Sequence, residues 1–294
     1  MTRYDLHSHS TESDGVLRPG QVVARASNVG VDVLALTDHD TTEGLADAIG
    51  AAFAIPLKII PGVEVSVTWQ NRLVHIVGIN IDPENTSLQK GLAGLRETRM
   101  KRAELIAAKL EKLGCKHVLE ETRHYVTGKI ISRTHFAMYL EKNRYVKDLQ
   151  KAFKLYLNRG KKAYVACEWA GLGEVVDWIV EAGGQAVIAH PARYKMGRRL
   201  MTCFIDEFKE AGGVGIEVVT GQNNPQDIAN TAKLSLEKEL FASAGSDFHT
   251  PRNTWLELGK LSRIPDECVP IWQNWGRDFI FNTSEKARCA AAPL

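Results

Sequence analysis

Short apolar, β-branched runs alternate with amphipathic segments along most of this 294-residue chain. The runs fall at residues 4–9, 31–40, 57–67, 73–80, 185–191, 214–219 and 240–249 and read as buried strands. Periodicity near 3.6 predicts helices over 19–29, 42–53, 87–113, 172–182, 199–211 and 225–238. Pro19 and Pro225 suit first helical turns, while Gly30, Gly114, Gly183 and Gly212 fall where helices should stop. Strands alternating with helices predict an α/β fold on a parallel sheet, open or closed into a barrel. The rhythm breaks between about 99 and 163, where a helix-like stretch reads as an insertion after the fourth strand. Residues 1–98 and 164–285 then form the α/β body, and 286–294 read as a frayed tail.

Charge sharpens this division. The net charge is only +2, yet residues 96–163 carry 18 Lys and Arg against 7 Asp and Glu, leaving 19 against 28 elsewhere. An acidic body that can hold cations is joined to a basic segment that can hold anions. Hydrophobic content of 44% and charged content of 24% are ordinary for a globular protein. No apolar run approaches the roughly 20 residues that span a bilayer. The five cysteines are scattered without a CxxC pair, and no segment reads as a signal peptide, so the cytoplasm is the expected compartment.

The strand ends carry the chemistry. His7 and His9 close the first run, Asp38, His39 and Asp40 the second, Glu64 lies late in the third, and His75 lies on the fourth. His190 ends the fifth as "AHP", and Asp247 and His249 end the last as "GSDFH". In a parallel α/β body such ends meet on one rim, which would gather six of the nine histidines. Residues i and i+2 of an extended strand share a face, so His7 with His9, and Asp247 with His249, can grip one ion or adjacent ions. Mixed imidazole and carboxylate donors without thiolates suit Mn2+, Fe2+ or Zn2+, and the carboxylates tilt the choice toward the harder ions. So many donors imply two or three metals, a grouping suited to hydroxide formation and hydrolysis at phosphorus.

The motifs "DLHSHSTESDG", "TDHD", "PGVEVSV", "VHIVGI", "IAHPARY" and "SAGSDFH" resemble those of the polymerase and histidinol phosphatase (PHP) superfamily. The resemblance implies a distorted (β/α)7 barrel with a small helical insertion domain and three divalent ions, foremost Mn2+, at the C-terminal rim. Carried over position by position, the ligands would be His7, His9, Asp14, His39, Glu64, His75, His190, Asp247 and His249. Family logic would share them as His7, His9, Glu64 and Asp247 on one ion, Glu64, His75 and His190 on a second, and Asp14, His39 and His249 on the third. A metal-bridging hydroxide would act as nucleophile, with His190 or His249 the candidates to assist the leaving oxygen.

The insertion, with "SRTHFA" and "GKKAYV", is similar to a bacterial group of nucleoside 3′,5′-bisphosphate phosphatases and 5′-to-3′ exoribonucleases acting on short RNA. Physical features agree with a phosphorylated ligand. Ser132 can cap a helix whose first turn holds Arg133 and His135, and a helix N-terminus flanked by cations binds anions. Arg99 and Arg102 stand i and i+3 on one helix face and could serve a second phosphate; Arg193, close after His190, is expected near the metals. Trp169 and Trp178 read as core residues, and His117 and His124 as surface ones. The leading expectation is release of the 3′-phosphate from a small bisphosphonucleotide, with short 5′-phosphorylated RNA the alternative; no membrane or duplex DNA partner is expected. A histidinol phosphatase would leave the basic insertion without a role, and a metal-stabilised RNA-binding module would not need so complete a ligand set.

Overall fold

The computed structural model of the protein describes residues 2–275 except 54, 222 and 253; the expected tail, 286–294, and the last part of the body lie outside them. Among the described residues, seven strands follow one another in sequence order around the sheet: β1 (Tyr4–Asp5), β2 (Val33–Leu36), β3 (Lys58–Trp69), β4 (Arg72–Ile79), β5 (Gln185–Ile188), β6 (Gly215–Thr220) and β7 (Phe241–Gly245). Main-chain bonds from Leu6 to Ala244 (2.9 Å) and from His9 to Phe248 (3.0 Å) join the two ends of the sheet into a nearly closed barrel. Helices α1 (Pro19–Asn28), α2 (Leu45–Ala52), α3 (Thr86–Lys112), α7 (Leu172–Glu181), α8 (Arg198–Glu210) and α9 (Pro225–Glu237) match the six helices that periodicity predicts.

One strand departs from the all-parallel expectation. β4 runs antiparallel to both β3 and β5. The cause is local: Gln70 and Asn71 both have positive φ, 44° and 58°, and form a two-residue turn that pairs Trp69 with Arg72. Such a turn joins only antiparallel strands. His75 therefore lies in the first half of β4, which reaches the same rim as the ends of the parallel strands.

Both faces of the sheet are buried, which is why the strands read as continuous apolar runs. Leu34, Leu36, Val63 and Val65 face the helices, while Leu6, Val33, Ala35, Ile60, Val77, Ile79 and Val187 fill the barrel. Period-2 alternation then puts Glu64 on the inward face above Ile60, and His75 on the inward face above Val77 and Ile79. Trp272, stacked on Tyr4 at 4.1 Å, and the buried Trp275 close the far end, where β1 starts.

The insertion has no break at residue 99. Helix α3 runs through it, burying Leu88, Leu92 and Leu95 against the barrel and Ala103, Ile106, Ala107 and Leu110 in a second core. That core is completed by α4 (Val118–Arg123), α5 (Arg133–Lys142), and α6 (Leu149–Ala152), which continues into a π-helical turn at Phe153–Leu157. Among the described residues, no helix is long and apolar enough to cross a membrane.

Leu92 and Leu110 are both fully buried on α3, one in each core. Changing either to Ala should cost about 2–5 kcal/mol. Because the helix is continuous, denaturant unfolding followed by far-UV circular dichroism and by tryptophan fluorescence should show one coincident transition for both variants; separate transitions would show that the cores unfold independently.

Candidate metal centre

Beyond β1 the chain leaves the regular sheet but stays beside the end of β7. Asp247 donates its N–H to the His7 carbonyl (2.8 Å), so His7–His9 and Asp247–His249 face each other across the barrel seam. Asp38 organises the following loop, accepting bonds from the Ser10 N–H (2.7 Å) and from the Ser10 and Ser13 hydroxyls (both 2.6 Å). The loop turns tightly at Gly15, where a Cβ would lie 2.6 Å from the His9 carbonyl oxygen, and this brings Asp14 back over the barrel mouth. Beyond β2, His39 pairs with Glu64 in an isolated parallel bridge. At the end of β5, His190 precedes a proline and adopts φ +30°; Asp247 has φ +55°. Strained strand ends of this kind are typical of functional sites.

These elements surround one carboxylate. Glu64 Oε1 lies 2.8 Å from His75 Nδ1 and 2.9 Å from His190 Nε2. Its Oε2 lies 2.9 Å from His39 Nδ1 and 3.3 Å from both His7 Nε2 and His9 Nε2. Asp247 Oδ1 is 3.1 Å from His9 Nε2 and 3.6 Å from His7 Nε2, and Asp14 Oδ1 is 3.2 Å from His249 Nε2 and 3.8 Å from His39 Nε2. Among the described residues, three sets of donors converge: His7, His9, Glu64 and Asp247; His9, Asp14, His39 and His249; and His39, Glu64 and His75. The first set is the one expected for the first ion. The other two differ from the expected sharing: His9 joins Asp14, His39 and His249, and His39 takes the place of His190 beside Glu64 and His75. His190 meets the Glu64 oxygen that His75 also meets.

The donors fit divalent ions better than they fit one another. Asp14 Oδ1, Glu64 Oε2, His39 Nδ1 and His190 Nδ1 are buried without an aligned hydrogen-bond partner, although nitrogens and oxygens lie within reach. His7 Nε2 and His9 Nε2 face each other at 3.1 Å, a separation suited to two nitrogens bound to one ion at about 2.0–2.2 Å. Without an ion, protons must do the bridging. Burial would lower His9, but hydrogen bonds to Asp247 and Glu64 raise it to about 10. His7 and His249 rise as well, the carboxylates prevailing over burial. Burial would raise Asp14, Glu64 and Asp247, but the neighbouring imidazoles hold all three well below the carboxylate range.

The comparisons agree with the geometry. Residues 5–221 match the PHP domain. The chain belongs to the PHP domain family. It is 44% identical over 274 residues to a 3′,5′-nucleoside bisphosphate phosphatase of Chromobacterium violaceum, covering 93% of this chain and 96% of that one. It is 39% identical over 285 residues to the Escherichia coli 5′-3′ exoribonuclease Rnm, covering 96% of both. A solved structure of a Chromobacterium violaceum amidohydrolase, with bound sulfate and no metal, superposes with a TM-score of 0.88 at 44% identity, covering 92% of this chain and 95% of that one.

Within this PHP barrel, Glu217 is a further functional residue that the strand-end pattern does not mark. It is buried, its Oε1 2.7 Å from His7 Nδ1, and its Oε2 accepts the His190 N–H at 2.6 Å. A charged residue inside the run "VGIEVV" was the available signal. Asp5 has a structural part, accepting N–H bonds from Ser246 (2.8 Å) and Gly259 (2.8 Å). The Tyr194 hydroxyl accepts the His75 N–H at 2.9 Å.

A cleft opens beside the cluster, lined by Asp14, His39 and His75 and, from the insertion, by Arg99, Arg102 and Arg133 among others. The expected pair Arg99 and Arg102 divides. Arg99 is buried and already neutralised, its Nε donating to Asp40 (2.6 Å) and its Nη2 to Ser66 (2.9 Å). Arg102 donates to the Val165 carbonyl (3.2 Å) and sits over the Trp169 ring at 5.7 Å. Burial, with the charges of Arg133 and Arg99, brings its pKa down to about 10. Arg133 packs over Phe153 at 5.9 Å. Among the described residues, neither Arg102 nor Arg133 forms an ion pair with a carboxylate, so this wall favours an anion.

His135, expected beside Arg133 at the anion site, also helps to close the start of α5. It is buried, its Nδ1 accepts the Ser132 N–H at 3.0 Å, and burial lowers its pKa. Ser132 does cap α5, accepting from the Thr134 N–H at 3.0 Å, and the Thr134 hydroxyl donates to Asp14 Oδ2 at 3.1 Å. Arg193 sits at the cluster, its Nη1 2.5 Å from Asp247 Oδ2. Trp169 is buried as expected, but it also lines the cleft.

The raised imidazoles set the sign of a pH effect. In chelator-treated protein His9, at about 10, is protonated well above neutral pH. Metal uptake near pH 7.5 should therefore release protons, measurable as buffer-dependent heats in calorimetry. The stabilisation from His9 is fully present below its unfolded value of about 6.5 and is lost as pH rises through about 10. The melting temperature of chelator-treated protein should accordingly fall over that window, and metal-loaded protein should show a smaller fall.

Proposed function

We propose that the chain is a divalent-metal-dependent phosphomonoesterase that removes the 3′-phosphate from nucleoside 3′,5′-bisphosphates. One observation carries the reading: a single cleft sets a convergent carboxylate–imidazole cluster against two guanidiniums without carboxylate partners. A substrate with two phosphates answers both walls, and the name of the Chromobacterium violaceum relative supports it.

The nine residues His7, His9, Asp14, His39, Glu64, His75, His190, Asp247 and His249 would hold the ions, three in number and foremost Mn2+. When bound, the ions supply charge neutralisation at phosphorus and a hydroxide near neutral pH. Arg102 and Arg133 would bind the distal 5′-phosphate, fixing the substrate rather than reacting with it. Arg99, held by Asp40 and Ser66, would stiffen the Trp169 face behind Arg102, its guanidinium lying 5.1 Å from that ring. Hydrolysis forms one bond from the water oxygen to phosphorus and breaks the bond to the 3′ oxygen, which leaves with a proton. His249 is poorly placed to supply that proton: its Nδ1–H is held by the Asp247 carbonyl at 2.9 Å and its Nε2 faces Asp14. His190 Nε2 is likewise engaged by Glu64. Both are therefore read as ligands.

A second reading, 5′-to-3′ exonuclease action on short 5′-phosphorylated RNA, is favoured by the Escherichia coli relative and uses the same cleft. Purified Mn2+-loaded protein should be compared on a 3′,5′-bisphosphonucleotide, a 3′-monophosphate, histidinol phosphate and a short 5′-phosphorylated RNA. The bisphosphate should have the highest kcat/KM; a clear preference for RNA would put the second reading first. Arg102→Ala removes a charged hydrogen bond worth about 1.5–3 kcal/mol, so kcat/KM for the bisphosphate should fall roughly 10–100-fold. The 3′-monophosphate should change far less, and an equal loss on both would remove the distal phosphate site. Glu64→Ala should abolish turnover and lower the bound metal in elemental analysis; full activity of chelator-treated protein would overturn the metal-dependent reading.

A further inference from the structure

A buried acid in an apolar strand is costly unless its oxygens are fully used. Every residue of β6, "GIEVVT", is buried, and a Val or Ile in place of Glu217 would be the ordinary packing choice. The Glu217 carboxylate is instead divided between two elements. One oxygen meets His7 Nδ1 at 2.7 Å, and the other accepts the His190 N–H at 2.6 Å. The surrounding structure is shaped to permit this. The β6–β7 register slips between Glu217 and Val219, a bulge that re-aims the side chain. On β7, Gly245 leaves room: a Cβ there would lie 2.3 Å from the His7 Cβ and 3.0 Å from Glu217 Oε1.

We infer that Glu217 is a positioning residue of the metal centre, fixing His7 as the Nδ1–H tautomer with Nε2 turned to the ions and pinning the His190 backbone. With Nδ1–H held by the carboxylate, His7 Nε2 is the nitrogen that faces His9, Glu64 and Asp247. The bond to the His190 N–H restrains a residue whose φ of +30° is otherwise unfavourable. One carboxylate thus sets the direction of two donors from different strands, which no single rotamer preference could do. The inference rests on the metal-centre reading and adds a residue that is not itself a ligand.

The test is Mn2+ binding to wild-type and Glu217→Gln protein, read from the free-ion signal in electron paramagnetic resonance titrations. The amide has nearly the same shape but only one acceptor oxygen, so one of the two bonds must be lost. Affinity should fall roughly 10–100-fold, while the melting temperature of chelator-treated protein shifts by only a few degrees. Equal affinity and stoichiometry in both proteins would overturn the inference and leave the metal centre standing. No uptake by wild-type protein would overturn the metal reading, and the inference with it. If Glu217→Gln does not fold, 15N-histidine spectra of zinc-loaded wild-type protein decide the matter: a protonated Nδ1 on a metal-shifted His7 supports the inference, and an Nδ1-bound metal refutes it.

Discussion

The barrel mouth is organised around the Glu64 carboxylate, which five imidazoles from four parts of the chain approach within 2.8–3.3 Å. Carboxylates and imidazoles cannot share a dry pocket by chance. Each charge brought out of water must be answered by an opposite charge, a proton or an ion. Here the lines of approach converge on common points more than they pair donor with acceptor, as the buried and unaligned Glu64 Oε2 and Asp14 Oδ1 show. The rest of the fold has to hold those lines still.

It does so with residues that touch the cluster from behind. Asp38 ties the loop after His9 to the end of β2, and Glu217 ties His7 to the turn at His190. The inner apolar layer of Ile60, Val77, Ile79 and Val187 supports the polar layer above it. The two layers belong to the same strands, so the packing that stabilises the barrel also fixes the height of the donors.

The helical insertion is fastened to this centre and does not merely sit nearby. Helix α3 belongs to both cores, and its Arg99 bonds to Asp40, next to His39, and to Ser66, two residues beyond Glu64. Thr134, in the first turn of α5, donates to Asp14. The wall with anion-seeking guanidiniums is thus joined by charged and polar contacts to the wall that gathers cation-seeking donors, so a displacement of one is felt by the other.

Much of this was legible in the residues themselves. Apolar periodicity located every main helix and strand, because burying a face requires a repeat of 3.6 or 2. Polar donors at the ends of apolar runs stood out because a buried acid or imidazole must have a partner. The sequence alone could not reveal that β4 reverses, since that depends on two positive φ angles at Gln70 and Asn71. It could not separate Arg99 from Arg102, which share a helix face; only packing shows that Asp40 has claimed the first and left the second to the cleft. Nor could it show that His135 Nδ1 accepts the Ser132 N–H, or single out Glu217. Periodicity and residue type determine which side chains go inward; which partner each one meets there depends on strand direction and register, and those are settled only when the barrel closes.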